Sequence, residues 1–242
     1  MDIRIMTFNI QHCALHKNHL EGLPECIDPA GTADEIRETG ADLCGLNEVR
    51  GLGNTPVYTA QTEKIAALLG WHGVFGRSIY VGGTEPYGNA LVTRWPIEKM
   101  EVFHIPDPIT TENLRRFEHR SILRCELNIG GGFAVYQSHF GLTPPEQDHA
   151  VALAHQLLSA EKLPAVLMGD FNMTPDNPTL APLFRDFASS AAMLEGQFTH
   201  PSDTPDVMID YIFANDKVKL NTCAIGIKVV SDHLPVWADI TF

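Results

Sequence analysis

Two apolar runs of strand length, residues 121–128 and 133–139, are separated by a short segment that ends in Gly130, Gly131 and Gly132. A parallel pair needs a crossover of about a dozen residues or more, so these runs are expected to pair as an antiparallel hairpin with the glycines in its turn. Similar runs occupy residues 3–10, 42–48, 87–94, 165–171, 207–213 and 234–242. Helix signals are fewer. Thr32 with Glu35 reads as a capping box ahead of a segment closed by Gly40. Thr143, Pro144 and Glu146 open a second helix with Ala150, Leu153, Ala154, Leu157 and Leu158 on one stripe, and a third runs from about Ala60 to Leu69 and stops at Gly70. This is more strand than one simple parallel sheet requires. The expected fold is α/β (α+β), with two packed mixed β-sheets flanked by helices.

At 242 residues, with 44% hydrophobic and 19% charged residues, the chain has an ordinary globular composition. It is read as one catalytic-sized domain over residues 1–242, since no linker interrupts it. No apolar run reaches the roughly 18 residues of a bilayer span, and MDIRIMTFNI reads as a strand rather than a secretory leader; a cytoplasmic protein is expected. Cys13, Cys26, Cys44, Cys125 and Cys223 are odd in number and form no C-x-x-C pattern, which favours reduced thiols over disulfides or structural zinc. The formal charge of -13 repels polyanions at long range, although a divalent cation among carboxylates would invert the field locally.

Several apolar runs end on residues that a core does not want. IRIMTFNI carries Asn9, DLCGLNEV ends with Asn47 and Glu48, FAVYQSHF with Ser138 and His139, and AVLMGDFN with Asp170 and Asn172. Two further pieces, VMIDYIF with Asp210 and SDHLPV with Ser231, Asp232 and His233, place charge within or just before apolar runs. Each residue alone has a bland reading as a turn, a cap or a solvated side chain. Together they describe a polar cleft at converging strand ends, where open α/β architectures bind ligands. Asn9, Glu48, Asp170, Asn172 and Asp232 offer only hard oxygens, the set suited to Mg²⁺, Mn²⁺ or Ca²⁺. His139 and His233 remain for proton or charge work, and Asp210 is placed to orient one of them. Ser231, Asp232 and His233 are consecutive on an extended segment and cannot form a hydrogen-bonded triad, and the glycine run lacks the lysine of a P-loop.

From TFNI at 7–10 through the LNEV, GDFN and SDHLPV motifs, the chain resembles the endonuclease/exonuclease/phosphatase superfamily. The resemblance implies a four-layer sandwich and Mg²⁺- or Mn²⁺-dependent hydrolysis of a phosphodiester or phosphomonoester by activated water. It implies Asn9, Glu48 and Asp232 as metal-side residues, and Asp170 and Asn172 as the pair that positions water and phosphoryl oxygen. His233, oriented by Asp210, and His139 would face the phosphate, with Arg120 near the substrate. Asn47 stands where glutamine commonly precedes the metal glutamate, and Tyr87 stands where deadenylase-like members carry a glutamate. His139 disfavours the abasic-site endonuclease branch, which typically has asparagine there. Arg115, Arg116, His119 and Arg120 form the only dense basic cluster, so a small phosphoester is expected as partner, ahead of nucleic acid. A nuclease is the alternative, and a catalytically silent member that binds a phosphorylated ligand or a protein is a second.

Overall fold

The computed structural model describes residues 1–109 and 118–242. Its strands are β1 (Asp2–Asn9), β2 (Leu43–Arg50), β3 (His72–Val81), β4 (Glu85–Thr93), β5 (Ile97–His104), β6 (Ser121–Leu127), β7 (Phe133–His139), β8 (Ala165–Asp170), β9 (Ala188–Ser189), β10 (Asp210–Ala214), β11 (Lys219–Ile225) and β12 (Val236–Thr241). The α-helices are α1 (His16–Leu20), α2 (Pro29–Thr39), α3 (Gln61–Leu69), α4 (Pro144–Ala160) and α5 (Ala181–Asp186). They form two six-stranded sheets, ordered β11-β12-β1-β2-β4-β3 and β5-β6-β7-β8-β10-β9. Each sheet is mixed, because β1–β2 and β7–β8 pair in parallel and the other pairs are antiparallel. Helices α2 and α3 cover the outer face of the first sheet, and α4 covers that of the second. This is the expected four-layer sandwich, with β6 and β7 forming the expected hairpin.

The pleat explains how one strand serves two layers. In β1, Met6 and Phe8 pack toward α2 and α3, whereas Ile3 and Ile5 join the core between the sheets. Thr7 and Asn9 continue that inner row, and both are buried. The same change occurs in β7, where Phe133 and Val135 give way to Gln137 and His139, and in β8, where Val166 and Met168 give way to Asp170. The inter-sheet layer is therefore apolar at one end and hydrogen-bonding at the other. The polar end is the cleft.

Two expectations need correction. Helix α2 starts at Pro29 rather than near Thr32, and Asp28 is its N-cap, accepting from the Ala30 amide at 3.1 Å. Proline suits the first turn, where no amide donor is needed, and the Thr32 and Glu35 side chains are buried inside the helix instead. Strands β3, β5, β9 and β11 are additional to the eight expected, and all four lie at sheet edges. Edge strands bury less of themselves, so β5, with sequence IEKMEVFH, carries little of the apolar signal that marked the central strands.

At the end of α4, Glu161 is tied into the second sheet. One of its carboxylate oxygens accepts from Arg124 Nε at 2.9 Å, Arg124 Nη2 at 2.7 Å and the Tyr136 hydroxyl at 2.7 Å. Its other oxygen accepts from the Lys162 and Leu163 amides. Burial opposes ionisation, but the Leu163 amide, Tyr136 and Arg124 outweigh it and hold the carboxyl at about 2. Glu161→Ala should lower the unfolding free energy by about 2–3 kcal/mol, because a nearly buried arginine loses its principal partner. A depressed folded pKa contributes stability that is complete above the unfolded value of 4.5 and lost as pH falls toward about 2. Denaturant midpoints for parent and variant should therefore converge across that window.

Candidate active site

Strand register assembles the first row of the site. His139 on β7 lies opposite Asp170 on β8, and Asp170 lies opposite Asp210 on β10. In the other sheet Asn9 on β1 lies opposite Asn47 on β2. Glu48 reaches the same cleft through a bulge: Leu46 pairs with Ala90 and Val49 with Gly88, so Asn47 and Glu48 together face Asn89. Glu48 takes φ 60°, which lets two consecutive residues both serve the polar end. Gly169 makes room for Asp170 in another way. Its φ is 146°, and a Cβ there would lie 1.8 Å from the Ser138 carbonyl oxygen.

Asn47 is the hub between the sheets. Its Oδ1 accepts from Gln137 Nε2 at 2.9 Å and from the Asp170 amide at 3.1 Å. Its Nδ2 donates to Asn89 Oδ1 at 2.8 Å and to the Ser138 carbonyl at 2.9 Å. All four hydrogen-bonding positions of this fully buried amide are used. Replacing it with the isosteric leucine would strand partners on β4, β7 and β8. Asn47→Leu should therefore cost about 2–4 kcal/mol in a chemical-denaturation measurement.

Asp170 is the centre of the charged cluster. Its Oδ2 accepts from Asn9 Nδ2 at 3.0 Å and lies 3.4 Å from His139 Nε2 and 3.6 Å from His233 Nε2. Its Oδ1 accepts from the Asn172 amide at 2.9 Å. Asn9 Nδ2 also donates to Glu48 Oε1 at 3.1 Å, so one amide draws two carboxylates together. Burial raises the Asp170 carboxyl above the ordinary carboxylate range, with Asp210 adding to the rise and His233 opposing it.

The two histidines are held in opposite states. Burial, then the Arg120 guanidinium and His233, push His139 well below its usual pKa, so its imidazole is neutral. Arg120 Nη1 lies 2.9 Å from His139 Nδ1, and a guanidinium can only donate, so Nδ1 accepts, while Nε2 lies on the side of Asp170 and the Asn172 amide. His233 is equally buried, but Asp210 and Asp170 outweigh that burial and raise it. Its Nδ1 donates to Asp210 Oδ2 at 2.9 Å, which leaves Nε2 toward Asp170.

The expected site residues are thus largely brought together, and the exceptions are informative. Asp232 is linked indirectly: Gln11 Nε2 donates to Asp232 Oδ2 at 2.8 Å, and the Gln11 amide donates to Asn9 Oδ1 at 3.1 Å. Asn172 Nδ2 lies 3.0 Å from His139 Nε2 and donates to the Phe140 carbonyl. Arg120 is engaged with His139 and, at 3.1 Å, with Glu118. Of the basic cluster, Arg115 and Arg116 lie outside the described residues, and His119 pairs with Asp107 at 2.6 Å. Three residues that border the site residues carry no such mark in the sequence. Gln11 bridges the metal-side residues, Tyr87 donates its hydroxyl to Glu48 Oε2 at 2.8 Å, and the His200 ring stacks 4.6 Å from that of His233. In the sequence Tyr87 stands out only as a departure from a family pattern, and His200 lies outside the strand and helix patterns.

The sequence profile of the endonuclease/exonuclease/phosphatase family matches residues 6–233. The chain belongs to that family. The family comprises metal-dependent phosphoesterases and nucleases, and its members are generally hydrolytic. Its fold is shared with an endonuclease/exonuclease/phosphatase from Beutenbergia cavernae, with TM-score 0.78 and 23% identity over 100% of this chain and 72% of that one. A mannosyl-6-phosphatase from Bacteroides thetaiotaomicron superposes with TM-score 0.74 at 16% identity, covering 99% of this chain and 100% of the other. A humanized TDP2 from D. rerio does so with TM-score 0.72 at 15% identity, covering 100% and 99%. No curated protein matches the chain. No helix among the described residues is long and apolar enough to cross a membrane.

Proposed function

We propose that residues 1–242 act as one cytoplasmic catalytic domain that hydrolyses a small, water-soluble phosphodiester or phosphomonoester with Mg²⁺ or Mn²⁺. The observation that carries this reading is the position of the Asp170 carboxylate 3.4 Å from His139 Nε2 and 3.6 Å from His233 Nε2, with Asn9 and Glu48 alongside.

The donor set suits a hard cation. Asn9 gathers the Glu48 and Asp170 carboxylates, and among the described residues no lysine or arginine pairs with either. Glu48, with Asn9 and Asp232, would hold the metal, which when bound neutralises phosphate charge. Asp170, made more basic by burial, orients the attacking water and accepts its proton. His233, aligned by Asp210, donates from Nε2 to phosphoryl oxygens as they gain charge, and Asn172 helps position them. His139 faces the same group with its Nε2 edge, and Arg120 holds the ring from behind by donating to Nδ1. Tyr87 keeps its proton, because burial and Glu48 raise its pKa, and so it steadies the metal-side carboxylate as a donor.

The formal charge of -13 argues for a small substrate, since a duplex must be gripped through several phosphates. Turnover should be screened on small phosphomonoesters, small phosphodiesters, lipids and nucleic acids with each metal. Small soluble esters should be fastest, chelator should abolish hydrolysis, and Glu48→Gln should lower it by about 10²-fold or more without unfolding the chain. Rapid plasmid cleavage with a steep salt dependence would favour a nuclease, and absence of any turnover would favour a silent binding member.

The histidine pair has its own expected signature. His233→Ala should lower kcat about 10²- to 10⁴-fold with a smaller change in KM, and Asp210→Asn should act in the same direction more mildly. Parent-like kcat in both variants would remove this pair from the mechanism.

A further inference from the structure

A second donor set stands at the edge of the cleft, and its chemistry differs from the oxygen-rich side. The ligand atoms of His200, Asp232 and His233 all lie within 4.8 Å of one another. This is two imidazoles and one carboxylate, the N₂O composition that zinc accepts together with a water in the fourth position. Small side-chain rotations would bring such atoms onto metal–ligand bonds of about 2.0–2.2 Å.

Backbone hydrogen bonds hold these residues together. The Thr199 and His200 amides both donate to the Val207 carbonyl, at 2.9 and 3.1 Å. The Ser202 amide donates to the Asp232 carbonyl at 2.7 Å, and the Leu234 amide to the Thr199 carbonyl at 2.7 Å. The segment carrying His200 is thereby docked on the segment carrying Asp232 and His233. His233 also has the supporting contact that metal-bound histidines usually require, because Asp210 takes its Nδ1 proton and leaves Nε2 as the ligand atom. Among the described residues the His200 imidazole makes no side-chain hydrogen bond, while its ring rests against His233 with centroids 4.6 Å apart.

We propose that His200, Asp232 and His233 form an inhibitory site for Zn²⁺ or another imidazole-seeking divalent ion, which shares Asp232 with the hard-metal side at Glu48 and differs from it in its two imidazole donors. Imidazole donors favour Zn²⁺ over Mg²⁺, so the two sides of the cleft sort ions by ligand type. An ion on His233 Nε2 occupies the lone pair that the proton needs, and phosphate then loses its donor. The inhibitory effect rests on the catalytic reading of His233, whereas the binding itself requires no reaction.

The test uses the full chain stripped of metal. Zn²⁺ binding is followed by calorimetry, and Co²⁺ serves as a spectroscopic stand-in whose visible bands report imidazole ligation. His200→Phe keeps a ring against His233 without a ligand nitrogen, and His200→Ala removes the ring. Both variants should bind Zn²⁺ at least about 10-fold more weakly and lose the Co²⁺ bands. With saturating Mg²⁺, both should turn over within about threefold of the parent while needing at least about 10-fold more Zn²⁺ for half inhibition. Equal Zn²⁺ affinity in parent and variants, or activation by Zn²⁺ through His200, would overturn the site. If no phosphoester is hydrolysed, the hydrolase reading fails, and the calorimetry and Co²⁺ spectra still decide the zinc site. If turnover is found and Zn²⁺ binding is independent of His200, the zinc site alone fails.

Discussion

The four hydrogen bonds of the Asn47 side chain are the constraint on which the cleft depends. Two sheets packed through apolar side chains can slide and adjust; two sheets joined through one fully satisfied amide cannot, because any shift strands a buried donor or acceptor. The approach of the sheets at this level is close enough that a Cβ on Gly45 would lie 2.0 Å from Gln137 Oε1 and 2.8 Å from Met168 Cε. The absent side chain at Gly45 lets Gln137 cross from the second sheet to Thr7 and Asn47 in the first. Asn89 extends the same network to the Ser121 carbonyl. A polar layer of this kind is costly unless every member is paired, and the pairing holds the strand ends in place for the site above it.

The charged cluster inherits its geometry from that layer. The Asp170 amide is held by Asn47, its carboxylate is held by Asn9 from the opposite sheet, and its neighbours in register are His139 and Asp210. The contrast between the histidines follows from what each faces. His139 has a guanidinium behind it and stays neutral; His233 lies between carboxylates and takes a proton. Two buried imidazoles within reach of one carboxylate thus differ in charge because their outer partners differ.

Much of this was legible in the sequence, for physical reasons that particular residues make plain. Central strands such as 133–139 and 165–171 are buried on both faces, so their hydrophobicity is continuous and the polar residue that ends each run stands out. The edge strands β3, β5, β9 and β11 bury less, and their sequences carry correspondingly less signal. Asn47 could be noticed as a shorter amide than the family pattern, but its partners are distant in sequence, in Gln137, Asp170, Asn89 and Ser138. Gln11 and His200 lie outside the regular strands, where polar residues are unremarkable, and Tyr87 lies within β4, where an aromatic is ordinary; only their neighbours give them a role.

By itself the sequence determined the element types, the two-sheet architecture and the chemical kinds gathered at the strand ends, because alternation, capping and run length are local properties of the chain. It also determined which family the chain joins, since the TFNI, LNEV, GDFN and SDHLPV motifs keep their order along the chain. Tertiary structure alone decided that Asp170 lies between the two histidines, that His139 is backed by Arg120, that a bulge turns Glu48 into the cleft and that His200 meets His233. Those facts depend on strand register and on the docking of loops far apart in sequence, and no local pattern encodes a distance between residues that meet only when both sheets have closed on each other.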